Sequence, residues 1–344
     1  MPKVYFGTNR KPNRKKSPDD FGTGFSEDGL ANLRFGMSEV TGNNLDKFDL
    51  YVAPERLKID YERKVKGASG SVLGSQNVFQ RVRDKMIQHA RDTVVFVHGY
   101  NVSFREALTS AARLKQNFST DAGGPGINVV LFSWPSDGSM MPYIAYGNDR
   151  QDAAASGPAF ARGLLKLADF LRGSTPAEVC NQRLHLVAHS MGNYVLRHTV
   201  QEYVKQSPGR PARLFDEVFL MAADEDNDAF EYDHKLKPLP MLAKRVNVYF
   251  NNNDRAMAVS DKTKGNPDRL GDDGPRLPRG IPGKVSLVDV TPVVDGLVQH
   301  SYFLDTPQVV ADMRAVLAGQ PSDAIERRHY VQETNRYRLT KRER

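Results

Sequence analysis

Ser190 lies in the run Leu186-Val-Ala-His-Ser-Met-Gly-Asn193, where an apolar stretch gives way to a helical pattern from Tyr194 to Tyr203. A strand that turns sharply into a helix at a serine lifts the hydroxyl to the end of a sheet, and such a turn needs small residues on either side. Gly192 meets that need, while Ala188 stands where a glycine is usual and adds one methyl. A serine held in this way is suited to nucleophilic attack on an acyl carbon. It then needs donors for a developing oxyanion and a base that an acid orients.

The donors are suggested by Val97-His98-Gly99-Tyr100-Asn101, at the end of another apolar run. A His-Gly turn there would aim the backbone N–H of Tyr100 at Ser190, and the N–H of Met191 would complete a two-donor oxyanion hole. His98 precedes the serine in the chain and reads as a brace for this loop. Downstream, Trp134, Met140, Met141, Tyr143 and Tyr146 gather apolar bulk after a strand that should end at the site. Trp134, Tyr143 and Tyr146 are the candidate substrate-binding residues, and a cap packed over the sheet is the other reading of the same loop.

The elements that must carry these residues alternate from about residue 90 to 318. Strand-like runs occupy Thr93–His98, Asn128–Trp134, Leu184–Ala188, Glu217–Ala222, Val246–Phe250 and Val285–Val290, several apolar almost throughout. Continuous apolar runs belong to strands buried on both faces of a parallel sheet. Between them lie a capping box at Ser103–Glu106, a helical repeat through Phe160, Leu164, Leu167 and Leu171, and a last helix from Thr306-Pro307 to Gly319. The fold class is therefore α/β, a mostly parallel central sheet flanked by helices. Residues 91–320 are the expected catalytic core, with cap-like loops at 134–160 and 261–283. Residues 1–90 are an amino-terminal extension packed on that core, with β segments at Val4–Thr8 and Leu33–Val40 and a helix at about 76–91. The Gly67–Gly74 stretch lacks the Gly-Lys-Ser/Thr ending of a phosphate loop and reads as a connector. Residues 321–344 read as a surface tail or an exposed helix.

Charge and composition narrow the function classes. The chain has 344 residues and a formal charge of +7. Residues 1–20 hold six basic and two acidic side chains and residues 321–344 hold seven and four, so the two ends carry +4 and +3 and the remainder is neutral. A nucleic-acid-binding body would show its basic excess on folded elements, so nucleic acid is not expected as the main partner. No run reaches the ~18 apolar residues of a membrane span, and the start shows no secretory signal. The single cysteine, Cys180, has no partner for a disulfide or a thiolate metal site and reads as structural. A reduced, cytoplasmic protein without integral membrane association is expected.

With these residues in view the chain resembles the α/β-hydrolases. It is similar to a bacterial branch of unknown function that carries His-Gly-Tyr-Asn, Gly/Ala-His-Ser-Met-Gly and an amino-terminal Phe-x-Thr-Asn-Arg segment, here Phe6–Arg10. Further matches are Phe132–Ser136, Tyr146, Asp149, Ser156, Asn253–Ala256, Arg269–Gly271 and His300–Phe303, so the resemblance runs from residue 4 to about 304. Ala188 and Gln299, each where glycine is usual, depart from the pattern without removing a reactive group. The resemblance implies the chain order serine, acid, histidine. His300, in the loop after the last strand, is then the expected base, and Asp254, reached from Val246–Phe250 through three asparagines, the expected acid. Asp224 and Asp226 follow the preceding strand and stay open as the alternative, since chain order does not choose. Their other reading is a solvated acidic loop, Asp224–Asp228, which has no histidine at metal-ligand spacing. The implied function is a serine hydrolase acting on a small-molecule carboxylic ester, with no cofactor or metal. A thioester, amide or lipid substrate on the same triad is the alternative, as is a non-catalytic interaction protein on a hydrolase scaffold.

Overall fold

In a computed structural model the residues described are 2–29, 32–53, 74–136, 142–172, 181–207, 209, 211–254, 268–295 and 300–341. The strands are β1 Lys3–Thr8, β2 Arg10–Pro12, β3 Phe21–Phe25, β4 Arg34–Thr41, β5 Lys47–Val52, β6 Asp92–Val97, β7 Ile127–Ser133, β8 Leu184–His189, β9 Phe215–Met221, β10 Ala243–Phe250, β11 Val285–Asp289, β12 Arg328–Val331 and β13 Arg336–Leu339. The helices are α1 Gly74–His89, α2 Phe104–Asn117, α3 Pro142–Arg172, α4 Gly192–Gln206, α5 Leu270–Asp273, α6 Tyr302–Asp305 and α7 Pro307–Leu317.

The apolar runs become the centre of an 11-stranded sheet ordered β12-β13-β11-β10-β9-β8-β6-β7-β1-β4-β5. Every neighbouring pair from β13 to β1 is parallel, and β12, β4 and β5 add antiparallel edges. Side chains alternate between the faces of a strand. In β6, Val95 and Val97 enter the cluster beneath α1, α3 and α4, whereas Val94 and Phe96 enter the cluster beneath α2, α6 and α7. Both faces are covered, so an apolar residue is wanted at each position. β7 lies on one side of β6 and β8 on the other, so the order reverses there, and ligands of such sheets bind beyond the carboxyl ends of the strands at that switch point. Ser190 and Gly99 follow the two strands that flank it.

Helix α2 opens with the expected capping box: the Ser103 side chain accepts from Glu106 N–H, and Glu106 accepts from Ser103 N–H. The expected cap-like loop at 134–160 is different. From Pro142 it is already α3, a helix of 31 residues with Pro158 inside it. Gly138, Pro142 and Gly147 made the stretch look like a loop, but Pro142 sits in the first turn, where a proline costs no hydrogen bond. Gly157 lets α3 lie close against α4, since a Cβ there would come within 2.4 Å of His198 Cβ. In the second excursion, residues 268–283 carry α5 and a short 3-10 turn at Pro278–Gly280, and residues 261–267 lie outside the described residues.

Both chain ends are more deeply built in than the sequence suggests. β1 is a member of the central sheet, parallel to β7 on one side and antiparallel to β4 on the other. The carboxy-terminal segment, expected to be a surface tail, forms the β12–β13 hairpin, which extends the sheet past β11. Its Arg328 is fully buried, holding Asp312 through Nε at 2.7 Å and Nη2 at 2.8 Å and donating to Tyr249 Oη at 3.0 Å. Among the described residues no helix is long and apolar enough to cross a membrane. Removing one partner of a buried ion pair leaves the other charge uncompensated. Arg328→Ala is therefore expected to lower the free energy of unfolding in urea by about 3–5 kcal/mol. A loss below about 1 kcal/mol would show that the hairpin only decorates the edge.

Candidate active site

Ser190 has φ of +51°, a conformation that costs a non-glycine residue about 1–3 kcal/mol unless its surroundings impose it. Here they do. The Ser190 N–H donates to Met221 O at 2.9 Å, and its carbonyl accepts from Asn193 N–H and Asn193 Nδ2, both at 3.0 Å, and from Asp224 N–H at 3.2 Å. A Cβ on Gly192 would meet His98 O at 2.6 Å and Val97 O at 2.7 Å, and one on Gly99 would meet Ser190 Cβ at 2.8 Å. Smallness is thus demanded at 99 and 192. Ala188 sits one residue before the turn, paired in the sheet with Val97 and Leu220, which is why its methyl is accommodated. Met191 and Gly192 open α4, whose first N–H groups lack partners within the helix and carry its positive end.

The loop after β6 is tied from behind. His98 is buried, and its Nδ1–H donates to Gly99 O at 2.9 Å while Nε2 accepts from Trp134 N–H at 3.2 Å. Burial and the nearby Arg10 charge hold its pKa well below the usual histidine range, so it is a neutral brace. Asn101 adopts φ of +55°, with its N–H on Asp149 Oδ2 at 3.3 Å, and Val102 N–H donates to Ser136 Oγ at 3.3 Å.

Trp134 was expected at the substrate cleft, and this is corrected. It is fully buried, stacked on His98 at 5.3 Å, with its indole N–H on His98 O at 2.9 Å, so it offers no surface to a ligand. Tyr146 is 5% exposed; its ring packs on Tyr100 at 5.8 Å and its hydroxyl donates to Asp224 Oδ2 at 2.8 Å. Met140, Met141, Cys180, Gln299 and the side chain of Tyr143 lie outside the described residues.

On the other side of the elbow, His300 Nδ1–H donates to Asp254 Oδ2 at 2.7 Å. Asp254 is buried, whereas the His300 side chain keeps 21% of its surface. His189, just before the serine, donates Nε2–H to His300 O at 3.2 Å and packs between His300 and Phe303. Burial and the His300 charge depress its pKa to about 3, so it stays a neutral donor. The alternative acids are differently engaged. Asp224 accepts from Tyr146 and lies 3.5 Å from Arg269 Nε; Asp226 takes Arg269 Nη1 at 2.7 Å and Lys235 Nζ at 2.9 Å. The reading of Asp224–Asp228 as a solvated loop is therefore corrected. Asp224 is 2% exposed, and burial lifts the neighbouring Glu225 to about 7. No group of three or more His, Cys, Asp or Glu among the described residues is placed to hold a metal.

The sequence reading brought Ser190, Gly99, His300 and Asp254 to one end of the sheet. It missed the supports: Asp149 and Ser136 under the loop, His189 under His300, and Arg10 behind His98. Arg10, Gly99, Ser133 and Trp134, the hydrogen-bond partners of His98, all fell in motifs quoted as matches, yet their roles are contacts between distant segments.

Comparison with known proteins bears on the whole assembly. The uncharacterized protein alr1448 of Nostoc sp. is 29% identical over 163 residues, a match that covers 42% of this chain and only 39% of that curated relative's length. Among solved structures, a proposed cell surface hydrolase of Lactobacillus plantarum aligns over 67% of this chain and 93% of its own with 14% identity and a TM-score of 0.34. A lipase-esterase related protein of Clostridium acetobutylicum aligns over 57% and 73% with 15% identity and a TM-score of 0.22. Scores this low add nothing to the assignment. The family model described as an alpha/beta hydrolase of unknown function (DUF900) matches residues 75–319, from α1 through the elbow to the end of α7, and this chain belongs to that family.

Proposed function

We propose that the protein is a serine hydrolase that cleaves a small-molecule carboxylic ester through an acyl-enzyme. The observation that carries the reading is the 2.7 Å Asp254–His300 hydrogen bond beside a serine held at φ of +51°. Asp254 fixes His300 with its proton on Nδ1, which leaves Nε2 to act as base. Ser190 Oγ attacks the ester carbon as Nε2 takes its proton, and the N–H groups of Met191 and Tyr100 receive the developing oxyanion. Each such donor is worth about 2.7–4 kcal/mol in related sites. The imidazolium then protonates the departing alcohol, and water, activated by the same nitrogen, releases the acid. The chemistry uses only groups of this chain. Thioesters and amides would use the same atoms, and the ester is the member of that series we commit to.

Turnover of a short-chain nitrophenyl ester tests the reading. Ser190→Ala should lose at least about three orders of magnitude in kcat, and Asp254→Asn about two to four, while both keep wild-type circular dichroism. An Asp254→Asn variant within tenfold of wild type would remove Asp254 from the mechanism. Asp224 is no neutral comparator, since it is buried against Arg269 and Tyr146.

Gly99→Ala should also lower kcat, by about tenfold or more, because the added methyl pushes on Ser190 Cβ at 2.8 Å. Unchanged kcat in that variant would mean the loop can retreat freely from the serine.

A further inference from the structure

Thr8, Asn9 and Arg10 are fully buried, and the reaction just described uses none of them. Thr8 ends β1, Asn9 follows it and Arg10 opens β2, and all three lie outside residues 75–319, the part matched by the family model. Thr8 Oγ1 donates to Ser133 O at 2.7 Å and Asn9 Nδ2 to Ser156 Oγ at 3.1 Å. Arg10 reaches furthest. Its Nε donates to Ser133 Oγ at 2.9 Å and its Nη1 to Gly22 O at 3.2 Å. Its Nη2 donates to Val102 O at 2.5 Å and lies 3.4 Å from His98 Nε2.

One planar guanidinium thus joins three segments, namely β3, the end of β7 and the loop after β6. A fork of fixed donors does this; an ammonium, a point charge on a flexible stem, does not hold the same three directions. The consequence reaches the site through a single peptide plane. Donors at His98 Nε2 place the ring proton on Nδ1, and Nδ1–H is bonded to Gly99 O at 2.9 Å. Gly99 C=O and Tyr100 N–H belong to one rigid, trans peptide unit and point in opposite directions. Holding the carbonyl on His98 therefore aims the Tyr100 N–H the other way, away from His98; Gly99 itself lies against the serine, since a Cβ on it would meet Ser190 Cβ at 2.8 Å.

We infer that Arg10 is a positioning residue for the oxyanion hole, setting the direction of the Tyr100 N–H through His98 and the Val102 carbonyl. The inference rests on the serine-hydrolase reading and adds to it that the amino-terminal segment around Arg10 helps to position the catalytic apparatus.

The test uses the full chain with Arg10→Lys, which keeps the charge and loses the fork. Three quantities are measured: kcat and KM for a nitrophenyl ester, the Ki of a trifluoromethyl ketone, whose adduct with serine carries an oxyanion, and the unfolding midpoint. A misaimed donor weakens only states that carry the oxyanion. The expected result is a kcat lower by about 10- to 100-fold, a Ki higher by the same factor and a KM within about threefold. A purely structural staple would lower the unfolding midpoint and leave kcat and Ki of the folded protein within twofold, which overturns the proposal. Should Arg10→Lys fail to fold, Ser133→Ala removes one anchor of the guanidinium. Parallel shifts of kcat and Ki of about threefold or more are expected there, and unchanged values overturn the proposal. Wild-type protein that neither turns over the ester nor binds the ketone refutes the hydrolase reading itself, a result distinct from failure of the Arg10 step.

Discussion

The site depends on how closely the turn at Ser190 approaches the loop after β6. Neither Gly99 nor Gly192 has room for a Cβ, and Ser190 itself sits at φ of +51°. Such a turn exists only because strands on both sides hold it. β8 is paired with β6 and β9, α4 starts immediately, and the Ser190 N–H is anchored on Met221 at the end of β9. The parallel sheet, its switch point beside β6 and the two covering layers of helices can be read as the scaffold this contact requires. The strain at the serine is small beside the burial that opposes its release, since each large apolar side chain in the two clusters contributes about 1.5–3 kcal/mol.

Around that contact the protein sorts its histidines by environment. His98 and His189 are buried, have no hydrogen bond to a carboxylate among the described residues and are held neutral, so each acts as a fixed donor that orients a neighbour. His300 is partly exposed and bonded to a buried carboxylate, the setting in which an imidazole can accept a proton without losing its orientation. The buried charges follow the same logic. Asp224 and Asp226 are matched by Arg269 and Lys235, and Asp312 by Arg328, so that each fixes a loop or a hairpin to the sheet.

How much of this was legible in the sequence depended on whether a residue's partners were near it in the chain. The six core strands announced themselves because both of their faces are buried and apolar. β5, β12 and β13 did not, since strands at or next to the edges of the sheet are less fully covered and read as mixed polar segments; β5 alternates exposed and half-buried residues throughout. The start of α3 was hidden by Pro142 and Gly147. Ser190 and Gly99 were legible because their turns are local. Asp254 could not be separated from Asp224 until the fold brought one to His300 and the other to Arg269 and Tyr146. Trp134 was misplaced because an aromatic after a strand can line a cleft or pack a brace, and sequence does not say which. Arg10, 88 residues from His98, carried no sign of its contact beyond the motif it sits in.

The central claim is that Ser190, and no other hydroxyl, is the nucleophile of an acyl-transfer site. Tandem mass spectrometry of the wild-type protein after treatment with a fluorophosphonate tests this most directly. The account predicts one adduct per chain, on the peptide that contains Ser190, and its absence after heat denaturation before labelling. An adduct on another residue, or none on native protein, would contradict it.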